Sequence, residues 1–359
     1  MKTDMMHNEK NHRALLAHIQ AHPYLRPQDV FKFLYQSSFG CEHLVSSLSG
    51  AIEYIRGEYE KITATDKKVL VEPLDGQYSR VDLAYLDYGL SIETLGKLFF
   101  ASAKKEVGSE HMLKEKIEVA RILAREGLFD FTSDEFERAL EAWRDGGYPP
   151  VHHSDTYREL YHPSYRVISN KYVPFLPLFA KIDSLMEKGR VILAIEGGSA
   201  SGKSTLGQIL SEIYDCNLFH MDDFFLRPEQ RTAERYREIG GNIDRERFLS
   251  EVLIPLKKGE AVEYGRFDCS TMEITPPERV EPKKLNVIEG AYSMHPELAE
   301  YYDFSVFLDI SEELQRARIQ KRNSPAMAQR FFDEWIPLEK AYFSGFGIKD
   351  RCSLILSSN

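Results

Sequence analysis

Apolar and polar positions fall into two different patterns along this chain. From residue 191 onward, short apolar runs alternate with helical stripes. Val191-Ile192-Leu193-Ala194-Ile195 has the length and composition of a buried parallel strand. Leu206, Ile209, Leu210 and Ile213 follow at i, i+3, i+4, i+7, the stripe of an amphipathic helix. Further runs at Asn217–Met221, Leu285–Gly290, Asp303–Ile310 and Arg351–Leu356 read as four more strands. Alternating strands and helices predict an α/β unit, a mainly parallel sheet with helices on both faces.

Before residue 172 the pattern is mostly helical. Leu15, Leu16 and Ile19 mark a first helix that His22-Pro23 ends, and an apolar, aromatic stretch runs from Val30 to Tyr35. Ser91 caps a helix carrying Ile92, Leu95, Leu98 and Phe99. Ile117, Ala120 and Ala124 share a face that Gly127 terminates, and Thr132 with Glu135 has capping-box spacing ahead of Phe136, Leu140 and Trp143. Arg80 to Leu86 alternates as a strand would, with a helix as the other reading. Prolines 163, 174 and 177 mark a stiff junction, so the expected domains are 1–172, mostly α-helical and of unassigned role, and 173–359, with the stripe Leu178, Phe179, Ile182, Leu185, Met186 in the second.

Between the first strand and its helix stands Gly197-Gly198-Ser199-Ala200-Ser201-Gly202-Lys203-Ser204, followed by Thr205, which satisfies G-x-x-x-x-G-K-[ST]. Strand, glycine loop and helix in that order are the context of a P-loop, or Walker A motif. Gly197 and Gly202 let backbone N–H groups turn inward around a phosphate chain, and the helix N-terminus adds its partial positive charge there. Lys203 can reach the β- and γ-phosphates, and the Ser204 hydroxyl can ligate Mg²⁺. The chain is therefore expected to bind a nucleoside triphosphate with magnesium.

Composition narrows the partners. A net charge of −10 argues against general nucleic-acid or membrane-surface binding. No apolar run approaches a membrane span, and the cysteines at 41, 216, 269 and 352 are far apart, which reads as reduced thiols in a cytoplasm. Two further places attract a chemical reading. Cys41-Glu42-His43 puts a thiol near an imidazole, and His152-His153 with His162 could supply metal ligands only from an irregular loop. A structural cysteine and a polar loop are the simpler readings of both.

The second half resembles the uridine kinase, nicotinamide riboside kinase and phosphoribulokinase superfamily of P-loop kinases over about residues 176–357. The carriers are GGSASGKST, MDDFF at 221–225, VIEG at 287–290, VFLDIS followed by QRARIQKRN, and the later FFDEWIPLEKAYF. The resemblance implies a kinase that uses ATP and Mg²⁺ to phosphorylate a hydroxyl of a nucleoside, uridine-like, or of a similar small metabolite. It makes Asp222 the residue that faces the acceptor hydroxyl, with Ser204, Glu289 and Asp222 as the magnesium set. Arg316, Arg318 and Arg322 would lie on a lid helix, Arg318 and Arg322 joining Lys203 and Asp222 in catalysis. Asp223, Tyr264, Arg266, Asp268 and His295 are the candidate substrate contacts. The tyrosine–aspartate–phenylalanine segment of uridine kinases has its nearest match in Tyr264-Gly265-Arg266-Phe267-Asp268, with altered spacing. The expected partners are a triphosphate and a small hydroxyl substrate, and a homo-oligomer is left open. A nucleotide-gated switch, or a bifunctional enzyme with a second activity in the first half, are the competing readings.

Overall fold

A computed structural model of the chain describes residues 2–41, 45, 47–62, 69–104 and 108–357. It divides into two units, residues 1–183 and 184–359. The division lies inside the helix Leu176–Lys188, beyond the junction expected at 172/173. That helix was expected to belong wholly to the second unit. Its buried Asp183 instead accepts hydrogen bonds from Ser91 N at 2.8 Å and Thr94 Oγ1 at 2.9 Å, which ties its first turns to the first unit.

The first unit combines helices with a small sheet. Helices α1 (Lys2–Ala21), α2 (Pro27–Phe39), α3 (Leu48–Tyr59), α4 (Ile92–Ala103), α5 (Glu110–Arg125) and α6 (Ser133–Asp145) surround strands β1 (Val71–Pro73), β2 (Tyr78–Asp82) and β3 (Tyr165–Ser169), paired antiparallel in that order. The helix starts read from sequence are present: Ser91 accepts from Thr94 N, and Thr132 and Glu135 form a reciprocal capping box. Arg80–Leu86 resolves into both of its readings. Strand β2 ends at Asp82, whose carboxylate accepts from Ala84 N at 2.9 Å and starts a 3₁₀ turn over Leu83–Tyr88. Phe31 stacks on Trp143 at 4.6 Å within a core that also buries Phe136.

In the second unit β4 (Val191–Gly197), β5 (Cys216–His220), β6 (Leu285–Glu289), β7 (Phe304–Asp309) and β8 (Leu354–Ser357) form one parallel sheet in the order β8-β7-β4-β6-β5. All five apolar runs are strands, and every residue of β4 and β6 is buried, as both-face coverage requires. Leu206 and Leu210 of the helix after the loop, α7 (Lys203–Ile213), are buried where it packs on β4, β5 and β6. A second core layer gathers Ile192, Phe219, Phe224, Phe248, Ile288 and Tyr342. Strand order reverses around β4, so the carboxyl ends of β4, β6 and β5 make the crevice where open parallel sheets bind ligands.

Candidate active site

The loop after β4 bends through conformations that side chains resist. Gly197 has φ 147° and Gly202 φ 101°, and a Cβ on Gly197 would lie 2.6 Å from the Leu308 carbonyl. Ala200 also sits at φ 61°. Such alternation turns successive N–H groups into one concavity, the nest that suits phosphate oxygens. Lys203 Nζ donates to the carbonyls of Gly197 at 2.9 Å and Gly198 at 3.0 Å, so the ammonium lies over the loop mouth.

Glu289, the last residue of β6, pairs in register with Ile195 on one side and His220 on the other. Its Oε1 accepts from Ser204 Oγ at 3.0 Å and from His220 Nδ1 at 2.6 Å. Burial alone would raise its pKa. The His220 hydrogen bond and the Lys203 charge outweigh that and hold the carboxyl below its ordinary range. His220 is raised in turn, chiefly by the same bond. A hydroxyl beside an ionised carboxylate at the head of a phosphate loop is the oxygen donor set a magnesium ion takes.

Asp222 follows β5 in a 3₁₀ turn, Met221–Phe224. Its side chain opens to solvent while protein groups crowd it. Lost solvation raises its pKa, Lys203 opposes the rise, Glu289 adds to it, and His220 and Arg322 oppose it again. Those causes define the constellation: Lys203, Glu289, His220 and Arg322 all act on one carboxylate. Gly290, at φ 148°, lets the backbone pass, since a Cβ there would meet Met221 Cβ at 2.5 Å.

The arginine-bearing helix α8 (Glu312–Arg322) reaches the loop directly, with Arg318 Nη1 donating to the Ala200 carbonyl at 3.1 Å. Arg322 and Arg316 are exposed and lie over the rings of Phe331, at 5.3 Å, and Phe332, at 4.3 Å. Thr205 is exposed on the first turn of α7. The candidate substrate contacts scatter more. Arg266 pairs with Glu278 at 2.7 Å and approaches Asp223 at 3.8 Å. Tyr264 is buried against Phe219 and Phe224. Asp268 accepts from Ser270 N at 2.7 Å within its own hairpin, and His295 is buried between Tyr342 and Phe346.

Three further residues at the site were not singled out from the sequence, although Gln315 and Glu339 lie within QRARIQKRN and FFDEWIPLEKAYF. Glu339, on α9 (Ile336–Phe346), accepts from Ser199 N at 2.9 Å and Ser199 Oγ at 2.6 Å. Gln315 of α8 donates to the Ser199 carbonyl at 2.9 Å. Glu196, fully buried before the loop, accepts from Gly197 N, Met294 N and Tyr342 Oη, and desolvation pushes its pKa up to about 7. The segment FFDEWIPLEKAYF pointed to this region, but no spacing singled out Glu339 within it.

The two side readings of the first unit resolve differently. Cys41 is buried with its thiol 3.3 Å from the Val167 carbonyl, while Glu42 and His43 lie outside the described residues. His153 spends both ring nitrogens, on Asp29 at 3.2 Å and the Tyr165 hydroxyl at 2.7 Å, which leaves no donor for a metal shared with His152 or His162.

Residues 192–330 match the family model described as Phosphoribulokinase / Uridine kinase family. A phosphoribulokinase from Synechocystis sp. is 31% identical over 130 residues, covering 35% of this chain and 39% of that protein. A uridine kinase from Histophilus somni is 30% identical over 142 residues, covering 35% of this chain and 64% of that protein. The chain thus spans well under half the length of the phosphoribulokinase it matches. A solved structure of a possible uridine kinase from Bacillus stearothermophilus is 22% identical and covers 50% of this chain and 98% of that one, with a TM-score of 0.38. No described helix is long and apolar enough to cross a membrane. Over residues 192–330, then, this chain matches the phosphoribulokinase/uridine kinase family of P-loop kinases.

Proposed function

We propose that this protein is an ATP- and magnesium-dependent kinase that phosphorylates a hydroxyl of a nucleoside or similar small polyol. The observation that carries the reading is the constellation around Asp222. A carboxylate stands at the carboxyl edge of the sheet within the electrostatic reach of Lys203, Glu289 and Arg322. A site that only held nucleotide would have no use for a crowded, solvent-facing carboxylate beside its phosphate lysine.

The loop amides and Lys203 bind and orient the phosphate chain. Ser204 and Glu289 would hold magnesium, which when bound neutralises phosphate charge. Asp222 aligns the acceptor hydroxyl and takes up its proton, and a carboxylate whose pKa is raised accepts that proton more readily. Arg318 and Arg322 stabilise negative charge as it redistributes during transfer. Asp223 and Arg266, which approach each other beside this turn, are the first candidates for contacts to the rest of the acceptor.

The test is ADP release from the full-length protein against a panel of nucleosides, sugars and sugar phosphates. Stimulation by one acceptor class supports the reading. Tight ATP binding with no stimulation by any acceptor would replace it with a nucleotide switch.

A further inference from the structure

The first unit carries a cavity of about 950 Å³ between α1, the first sheet and the helix Asp155–Tyr161. Tyr157, Leu160, Tyr161 and Leu70 give it apolar and aromatic walls. Among its lining residues are His18 and His22, one turn apart on α1, and Glu72 on β1. We propose that these three residues form a binding site for a divalent transition-metal ion, opening into that cavity.

The spacing places both imidazoles on one face of the helix. One ligand atom from each of the three residues lies within 4.8 Å of the other two. Metal–nitrogen and metal–oxygen bonds of about 2.0–2.2 Å need ligand atoms roughly 3–3.5 Å apart, so modest side-chain rotation closes the set around an ion. The surroundings already orient the donors. His18 Nδ1 donates to Glu72 Oε1 at 2.5 Å, and His22 Nδ1 donates to the His18 carbonyl at 3.0 Å. The carbonyl bond fixes the His22 ring and its tautomer, and an ion would take the place of the proton between His18 Nδ1 and Glu72 Oε1. Arg80 Nη1 grips the other carboxylate oxygen, Glu72 Oε2, at 3.0 Å and so fixes the carboxylate plane.

Among the described residues Glu72 is the one polar partner of the His18 ring, whose Nε2 is buried without a hydrogen bond, so only the Glu72 bond has to yield when an ion binds. Two imidazoles and one carboxylate suit zinc, iron or nickel rather than magnesium or calcium, which prefer all-oxygen sets. Three protein ligands facing a cavity leave coordination positions open, as in catalytic rather than structural metal sites.

The test uses the full-length chain, stripped with chelator and titrated with Zn²⁺ by calorimetry, with elemental analysis for stoichiometry. One Zn²⁺ per chain is expected, with affinity falling 10-fold or more in Glu72→Gln and in His22→Gln. Because Glu72 is tied to buried Arg80 and its replacement can unfold the unit, partly exposed His22 provides the decisive variant, its folding checked by circular dichroism. Glu289→Gln, at the phosphate loop, should leave this zinc binding unchanged. Equal zinc binding by the wild type and a folded His22→Gln, loss in Glu289→Gln instead, or no stoichiometric zinc in the wild type would each overturn the proposal.

Discussion

Glu339 grips Ser199 with both oxygens, one on the backbone N–H at 2.9 Å and one on the hydroxyl at 2.6 Å. The carboxylate is 5% exposed, so these are buried, charge-assisted bonds that hold the first half of the phosphate loop from a helix about 140 residues away. Glu339→Ala should loosen the loop before nucleotide arrives, raising the dissociation constant for ATP about 10-fold, since each lost charge-assisted bond is worth roughly 1.5–3 kcal/mol and relaxation recovers part. Calorimetric titration with a non-hydrolysable ATP analogue checks this; unchanged affinity would mean that α9 merely rests on the loop.

Lys203→Ala and Asp222→Asn should separate binding from transfer. Without the ammonium, phosphate charge goes uncompensated and turnover falls by about 10²-fold or more. Asp222→Asn keeps the shape and the loop intact, so ATP affinity stays near wild type while kcat drops about 10²-fold. Normal turnover in the asparagine variant would remove Asp222 from its assigned role.

Gly290→Ala tests how the acceptor side is positioned. Its Cβ would lie 2.5 Å from Met221 Cβ, and φ 148° is itself unfavourable for alanine. Met221 must shift, carrying the adjacent Asp222 with it. The expected result is a fall in kcat larger than any change in ATP affinity, read from steady-state kinetics beside equilibrium nucleotide binding.

Acid should weaken both units through buried neutral histidines. Burial lowers His295 from 6.5 to about 4 and His153 from 6.5 to about 3. Below pH 6.5 the unfolded chain takes up protons that the folded chain refuses, so stability is full above 6.5 and falls as pH drops towards 4. The His295 contribution is on the order of 3 kcal/mol at the foot of that window. His295→Phe, which keeps an aromatic ring against Tyr342, should flatten the melting-temperature profile of the phosphate-loop unit between pH 6.5 and 4.

In the first unit, Lys116 is buried and bonded to Asp75 at 2.7 Å and to the Ser37 carbonyl at 2.6 Å. Lys116→Ala strands Asp75, and breaking such a pair costs about 3–5 kcal/mol. Denaturant unfolding followed at Trp143 should show it.

What could be read in advance was what is local. The β4–loop–α7 segment and the Asp222 turn have their chemistry within a few consecutive residues, so spacing alone exposes them. The three-stranded sheet was largely missed because β1 is only three residues long, too short for alternation to show. Glu339, Gln315 and His220 lie in or beside segments the sequence marks, but they serve the site through contacts between elements, and spacing within those segments does not single them out. The His18–His22 pair has the spacing of a shared helix face, but Glu72 lies 54 residues from His18 and only folding brings it alongside.

The central place of β6 sets a distance. Because Glu289 is flanked in register by Ile195, which leads into the glycine loop, and by His220, which leads into the aspartate turn, this strand is the spacer between loop and turn. In the proposed kinase, the interval from phosphate cradle to acceptor hydroxyl is then set by the separation of neighbouring strands.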